Sequence, residues 1–247
     1  MAPAVNGDYE KDLSTPPQGI NHSSIVFQKH FYNPLDSSIY KITEYPIKGS
    51  EYRGCVEVHI LEFKEGDEYP LEYANEVFLE KKDNVAAANE AIDLGIPHEH
   101  ELLIARYVYA NITIHEAEGT VEGKQIRGAF VDNDYAGAKI TREVYLTLLS
   151  RYGVVVSDSQ QSIGGHGLWA FGVCKWGHVQ VYNRNENIYL STLLPNGEEP
   201  DKNIKPWSVK NHEQNSVNKL RNGYWTIEDD LSRLVLVLKK FNTSTTT

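Results

Sequence analysis

Two aspartates, Asp132 and Asp134, close the stretch RGAFVDND, whose apolar first part reads as a strand. A carboxylate at a strand end beside a turn is suited to general-base work. Glu116 and Glu118 end the preceding apolar run and offer the same chemistry, with solvated turn residues as the plain alternative for all four. Residues 159–169, SQQSIGGHGLW, follow a second apolar run. A glycine-dense loop opening a helix can cradle phosphate through its N–H groups, yet this one fits neither G-x-x-x-x-G-K-[ST] nor G-x-G-x-x-G. The simpler reading is a tight turn in which Gly164, Gly165 and Gly167 let the backbone pack closely while Leu168, Trp169 and Phe171 fill core. His166 then reads as a surface histidine. His98 and His100, in PHEHE, lack the further ligands that a structural metal site needs, and no metal is expected. Ser157-Asp158-Ser159 is not a nucleophile elbow. Cys55 and Cys174 sit in apolar surroundings and read as small core thiols.

The elements that must position these groups lie mainly in residues 127–182. After RGAFVDND comes a small-residue turn, YAGAKI, then TREVYLTLLSRY, where Val144, Tyr145, Leu148, Leu149 and Tyr152 recur at spacings of three and four. That period predicts an amphipathic helix, with Thr141 as N-cap and Gly153 as its stop. Val154, Val155 and Val156 run without alternation, the pattern of a strand covered on both faces. A strand reached through a helix in this way is the product of a parallel crossover. SIGGHGLWAFG and the strand HVQVYN follow.

Upstream, SSIVFQKHFY, SSIYKITEYPI, GCVEVHILEFK and YPLEYANEVFLEK alternate apolar and polar residues between turn signals, and all four are predicted to be strands. NVAAANEAIDL is alanine-rich, has Val85, Ala88 and Ile92 at helical spacing, and is stopped by Gly95 and Pro97. LLIARYVYANITIHEAEG is long enough for one bent strand or two, and residues 119–123 are expected to turn it back into KQIRGAFVDND. Downstream lie a strand (IYLSTLL), a polar loop, a weak helical piece (EQNSVNKLRN), and LSRLVLVLKKF, read as a buried strand. Residues 1–23 and 242–247 hold too few apolar side chains to offset the entropy of ordering and are expected to be a flexible arm and tail around a single domain, 24–241.

Composition narrows the partners. A 247-residue chain with 40 % hydrophobic and 23 % charged residues is ordinary for a globular protein. The net charge of −10 disfavours a general nucleic-acid surface. No apolar run is long enough for a membrane span and the first residues have no leader pattern, so the cytoplasm is the expected location, the host's if the protein is viral.

In element order and length, residues 127–182 resemble the second half of the GNAT acyltransferase fold. There a central strand leads through a phosphate-binding turn into a helix, then to a strand that splays away, a second helix and a closing strand. The chain is also similar to uncharacterised GNAT-like proteins of tailed bacteriophages. The resemblance implies an α/β (α+β) fold with a mixed central sheet and flanking helices, the GNAT-like core at 124–194 and a β-rich N-terminal elaboration at 24–123. It implies acetyl-CoA as acyl donor and an amine-bearing small molecule or protein as acceptor. Phe130 and Val131 would offer backbone to the pantetheine arm, and Gly137, Ala138, Lys139, Ile140 and Thr141 would receive the pyrophosphate at a helix N-terminus. Asp132 or Asp134 would take the proton from the amine. The family's turn, (Q/R)-x-x-G-x-(G/A), is met here by Ala136, Lys139 and Thr141, and its usual tyrosine acid falls near Trp169. Those departures imply the alternative, a non-catalytic GNAT-fold module that binds another protein, in a structural or phage accessory role.

Overall fold

A computed structural model describes residues 4–5, 12–64, 66, 68–195, 207–209, 225–226 and 234–241. The elements in chain order are β1 (Ala4–Val5), β2 (Phe27–Asn33), β3 (Ser38–Pro46), β4 (Gly54–Glu62), α1 (Tyr69–Lys81), α2 (Asn84–Asp93), β5 (His100–Glu116) and β6 (Gly119–Val131). They continue with α3 (Ile140–Tyr152), β7 (Val154–Val156), β8 (Gln160–Gln161), α4 (Ile163–Gly167), β9 (His178–Asn183), β10 (Ile188–Leu193), β11 (Trp207–Val209), β12 (Trp225–Thr226) and β13 (Leu234–Lys239). The architecture is α+β. Nine strands hydrogen-bond in the order β10-β9-β13-β7-β6-β5-β4-β3-β2, mostly antiparallel, and β12-β11-β1-β8 form a small parallel sheet. The expected polar loop beyond its first residue, the weak helical piece and the tail at 242–247 lie outside the described residues.

The chain divides into two compact units, an N-terminal one of residues 12–108 and 128–144 and a C-terminal one of residues 1–11, 109–127 and 145–247. In the N-terminal unit, β2, β3 and β4 form an antiparallel meander with Tyr32 opposite Ile39 and Tyr40 opposite Ile60. Helices α1 and α2 cover Tyr32, Ile39 and Leu61 with Ala74, Val77, Ala87, Ala88 and Ala91, small side chains that let the helices lie close.

YPLEYANEVFLEK is helix α1 and not the predicted fourth strand. Tyr69, Leu71 and Tyr73 imitate a two-residue period, but the residues that become buried are Pro70, Ala74 and Val77, which is the helical period. Pro70 has no N–H to lend a sheet and fits the first turn of a helix, where that donor has no partner anyway. Lys82 ends α1 in the left-handed region, its N–H bonding Phe78 O, and Asp83 caps α2 by accepting from Val85 N and Ala86 N.

Part of the expected arm is described. Leu13 is buried with Ile47, Cys55 and Val108, and Ile20 makes a strand bridge to Ile47. The Arg106 guanidinium donates to Leu13 O and Ser14 O, so residues 12–14 are fastened to β5 by a buried cation. The same guanidinium bonds the buried Glu57 at 2.9 Å.

In the C-terminal unit, β6 and β7 run parallel, with Lys124 opposite Val155 and Gln125 opposite Val156, which is the crossover predicted through α3. Gly123 permits the approach, since a Cβ there would stand 2.9 Å from Val154 Cγ1. Val154, Val155 and Val156 are all buried, and β13 is the predicted buried strand, lying between β7 and β9. The β5–β6 turn falls at Ala117 and Glu118; Gly119 and Gly123 belong to β6 and do not form the turn.

Candidate functional site

The candidate turn follows β6 in the N-terminal unit. Asp132 leaves the strand with its N–H on Ile104 O, and its carboxylate accepts from Asp134 N at 3.0 Å, capping a short 3-10 turn at Asn133–Tyr135. One of the two expected bases is therefore already engaged by backbone. Asp132 is half-buried and Asp134 exposed. Phe130 turns its ring toward the Leu13, Ile47, Cys55 and Val108 cluster, and Val131 beside it is half-buried.

Beyond Tyr135 the backbone tightens through Ala136 N to Asn133 O and Ala138 N to Tyr135 O. The buried Asn33 side chain donates to Ala138 O at 3.0 Å and so ties the turn to the end of β2. Lys139 then adopts φ of 56°, the left-handed region that favours glycine, at the position where the resemblance puts a glycine. A Cβ on Gly137 would meet nothing within 4 Å, so that corner is open. Ile140 begins α3 and is buried, which places Thr141 inside the helix and overturns its reading as N-cap. The Thr141 hydroxyl pairs instead with the buried Tyr107 OH at 2.7 Å. Burial pushes the Tyr107 phenol up, so it stays protonated at any working pH.

Among the described residues, no backbone carbonyl accepts the N–H of Gly137, Lys139, Ile140 or Thr141. Free amides at a helix start attract an anion. The surrounding charges are mixed. Lys139 is exposed and positive, but Glu143 stands in the first turn of α3, contacts Arg142 at 3.0 Å and faces Lys29 at 3.8 Å. Burial holds the Lys29 ammonium below its ordinary range, opposed by Glu143. Tyr135 titrates high because of burial and then the carboxylates of Glu62, Asp132, Asp134 and Asp36 around it.

The expected acid helix lies in the C-terminal unit. SIGGHGLWAFG is not a tight turn. Ser162 caps α4 by accepting from Gly165 N, α4 passes into a π-helical turn at Leu168–Gly172, and a 3-10 turn follows at Val173–Lys175. A Cβ on Gly164 or Gly165 would make only ordinary contacts and one on Gly167 none, so close packing does not require these glycines. Trp169, at the tyrosine position, is buried with its ring edge-on to Tyr145 at 5.8 Å. His166 is fully buried, 4.5 Å from the Trp207 ring, and is not the surface residue predicted. Cys55 and Cys174 are free, buried thiols. Burial pushes the Cys55 thiol up, and Cys174 Sγ donates to Ala170 O.

The remaining candidates are structural partners. Glu116 is engaged by Lys239 and Tyr189, which hold its carboxyl below the usual range. Glu118 lies in the β5–β6 turn. His98 bonds Glu101 at 3.1 Å, and among the described residues no group of three or more His, Cys, Asp or Glu could hold a metal. No described helix is long and apolar enough to cross a membrane.

Sequence reasoning passed over a polar row on the sheet of the N-terminal unit, where His30 lies opposite Lys41 and Lys41 opposite His59. Each lies at an alternate position of a predicted strand, and only the register brings them together.

No family model, curated protein or solved structure matches the chain.

Proposed function

We propose that the chain is a GNAT-like acyltransferase that moves an acyl group from acetyl-CoA to an amine on a small molecule or a protein. The observation that carries this reading is the turn between β6 and α3. It keeps a left-handed residue at Lys139 and leaves the N–H groups of Gly137, Lys139, Ile140 and Thr141 without backbone acceptors, within a parallel crossover. In this reading residues 137–141 receive the pyrophosphate, with Ala138 held by Asn33 and the Lys139 ammonium adding charge. Phe130 and Val131 present backbone along the pantetheine arm. At Ser157 the chain bonds Leu236 of β13, and toward β6 the Gln125 side chain joins it, which supports a splayed second strand.

The amine attacks the acyl carbonyl, the C–N bond forms as the C–S bond breaks, and the amine's proton passes to a carboxylate. Asp134 is the better placed base, because Asp132 accepts a backbone N–H. Solvent supplies the proton to the leaving thiolate, since the indole of Trp169 has no acidic hydroxyl. Titration calorimetry with acetyl-CoA tests the reading: heat at micromolar to millimolar ligand is expected, and no heat at about 1 mM rejects it.

The alternative is a non-catalytic GNAT-like module that binds another protein, including a phage accessory role. The buried Trp169 and the carboxylates around Tyr135 favour it. Stoichiometric recovery of one partner, with no acetyl-CoA heat, would establish it over the enzyme.

A further inference from the structure

The N-terminal unit presents a second constellation, on the opposite face of β2, β3 and β4 from Lys29, which reaches α3. His30, Lys41 and His59 lie directly across one another on three adjacent strands, and the next row holds Gln28, Thr43 and Glu57. Tyr32, Ile39 and Leu61 of the same face carry α1 and α2 on one side of these rows. The 12–23 segment covers the other side, where Arg106 binds Leu13 O and Ser14 O and His22 reaches Glu57 at 3.4 Å. Between the two covers, three side chains able to carry positive charge stand in a line.

One atom in this patch lacks a partner. His59 Nδ1 is buried and makes no hydrogen bond, and register places Thr43, whose hydroxyl interacts with the Tyr45 phenol, as its diagonal neighbour across β3 and β4. A protonated imidazole donates from both nitrogens, and in that form Nδ1 needs an acceptor.

We propose that the row His30, Lys41 and His59, with the Thr43 hydroxyl beside it, is a binding site for a small multi-oxygen anion of the phosphate class that takes up protons as it binds. The charges facing the row are balanced when both imidazoles are neutral: Lys41 is paired with Glu101 and Arg106 with Glu57. His98 also contacts Glu101, and His22 and Tyr45 stand at the Glu57 end. Burial and then Lys41 hold His30 low; burial, with Lys41 and Arg106 against Glu57 and Glu101, holds His59 low. An incoming anion reverses that balance by supplying acceptor oxygens to both imidazoles and competing with Glu101 for Lys41. Adjacent strands are about 4.8 Å apart, so the outer two side chains span about 10 Å and can close on a diphosphate.

The test is calorimetry of the full chain with inorganic pyrophosphate, alongside NMR of the histidine ring protons. Affinity is expected to rise by up to about tenfold per pH unit for each proton taken up, between about pH 7.5 and pH 6, while the His30 and His59 rings move to higher pKa on binding. Lys41→Gln and His59→Gln should each weaken binding about tenfold or more, and Gly137→Asp, which places a carboxylate at the turn proposed for acetyl-CoA, should leave the His30 and His59 ring shifts in place. The ring titration is read on the unsubstituted chain, so a variant that fails to fold does not remove the test. Absence of heat and of ring shifts at about 10 mM pyrophosphate and pH 6 overturns the proposal, as does binding that ignores pH. Loss of pyrophosphate binding in Gly137→Asp with the rings unmoved assigns the anion to the turn instead. Acetyl-CoA heat lost in Gly137→Asp and retained in Lys41→Gln keeps the acyltransferase reading separate.

Discussion

The turn at residues 136–141 and the helical segment at residues 162–175 differ in opposite ways from the GNAT pattern that residues 127–182 resemble. In the turn the residue types depart from that pattern, while Lys139 holds φ of 56° and the amides that follow stay open. In the second segment the backbone is helical, and the position matching the pattern's tyrosine holds a buried indole set against Tyr145. Backbone conformation can be reached by several residues at a cost of about 1–2 kcal/mol for a left-handed non-glycine, and loops tolerate that cost. A phenolic hydroxyl has no such substitute, so under the proposed reading the turn would bind without a protonating group beside it.

Four substitutions bear on that contrast. Trp169→Ala should lower stability by about 3–5 kcal/mol in urea unfolding, because a buried ring leaves a cavity; a loss below about 1 kcal/mol would mean that the indole is not core and that its position is free for chemistry. Thr141→Val removes the partner of the buried Tyr107 hydroxyl and should cost about 1–3 kcal/mol by the same assay. Acetyl-CoA heat should persist, since the turn would use the N–H of residue 141 and not its hydroxyl. Lys139→Gly relieves the left-handed strain at the expense of a more flexible unfolded chain, so a gain of about 1 kcal/mol or less in thermal unfolding is expected. If acetyl-CoA affinity also survives, backbone shape suffices; a tenfold fall, about 1.4 kcal/mol, makes the ammonium part of the site. Gly165→Ala should be the mildest, stabilising by about 0.5–1 kcal/mol if this glycine is an ordinary helical residue. Loss of nucleotide-dependent protection against heat in that variant would instead revive a phosphate role for the glycines.

Much of the architecture was legible from period alone. Val144, Leu148 and Tyr152 mark α3, and the unalternating Val154 to Val156 mark a strand covered on both faces. Period failed at α1, where Tyr69, Leu71 and Tyr73 alternate by coincidence, although Pro70 suits a helix start. At residues 12–23 the apolar residues are few, and the contacts that hold them are distant in sequence: Leu13 in the cluster with Cys55 and Val108, Ile20 bridged to Ile47, and Leu13 and Ser14 on the Arg106 guanidinium. The candidate site was legible as positions and not as geometry. Nothing local to YAGAKI states that Lys139 is left-handed, or that Asn33, on a strand more than a hundred residues earlier, holds Ala138. The burial of His166 is likewise a tertiary result, set by Trp207.

Arg106 also orders events in time. Its bonds to Leu13 and Ser14 close loops of 93 and 92 residues, so they cannot form until β5 has been made. During synthesis the first part of this unit to leave the ribosome is then among the last to dock, waiting on a cation that β5 brings much later. Until then the apolar surface of Cys55 and its neighbours stays uncovered. In hydrogen-exchange pulse labelling, protection of the meander β2–β3–β4 should precede that of residues 12–14, and simultaneous protection would show that the guanidinium is not what holds this segment back.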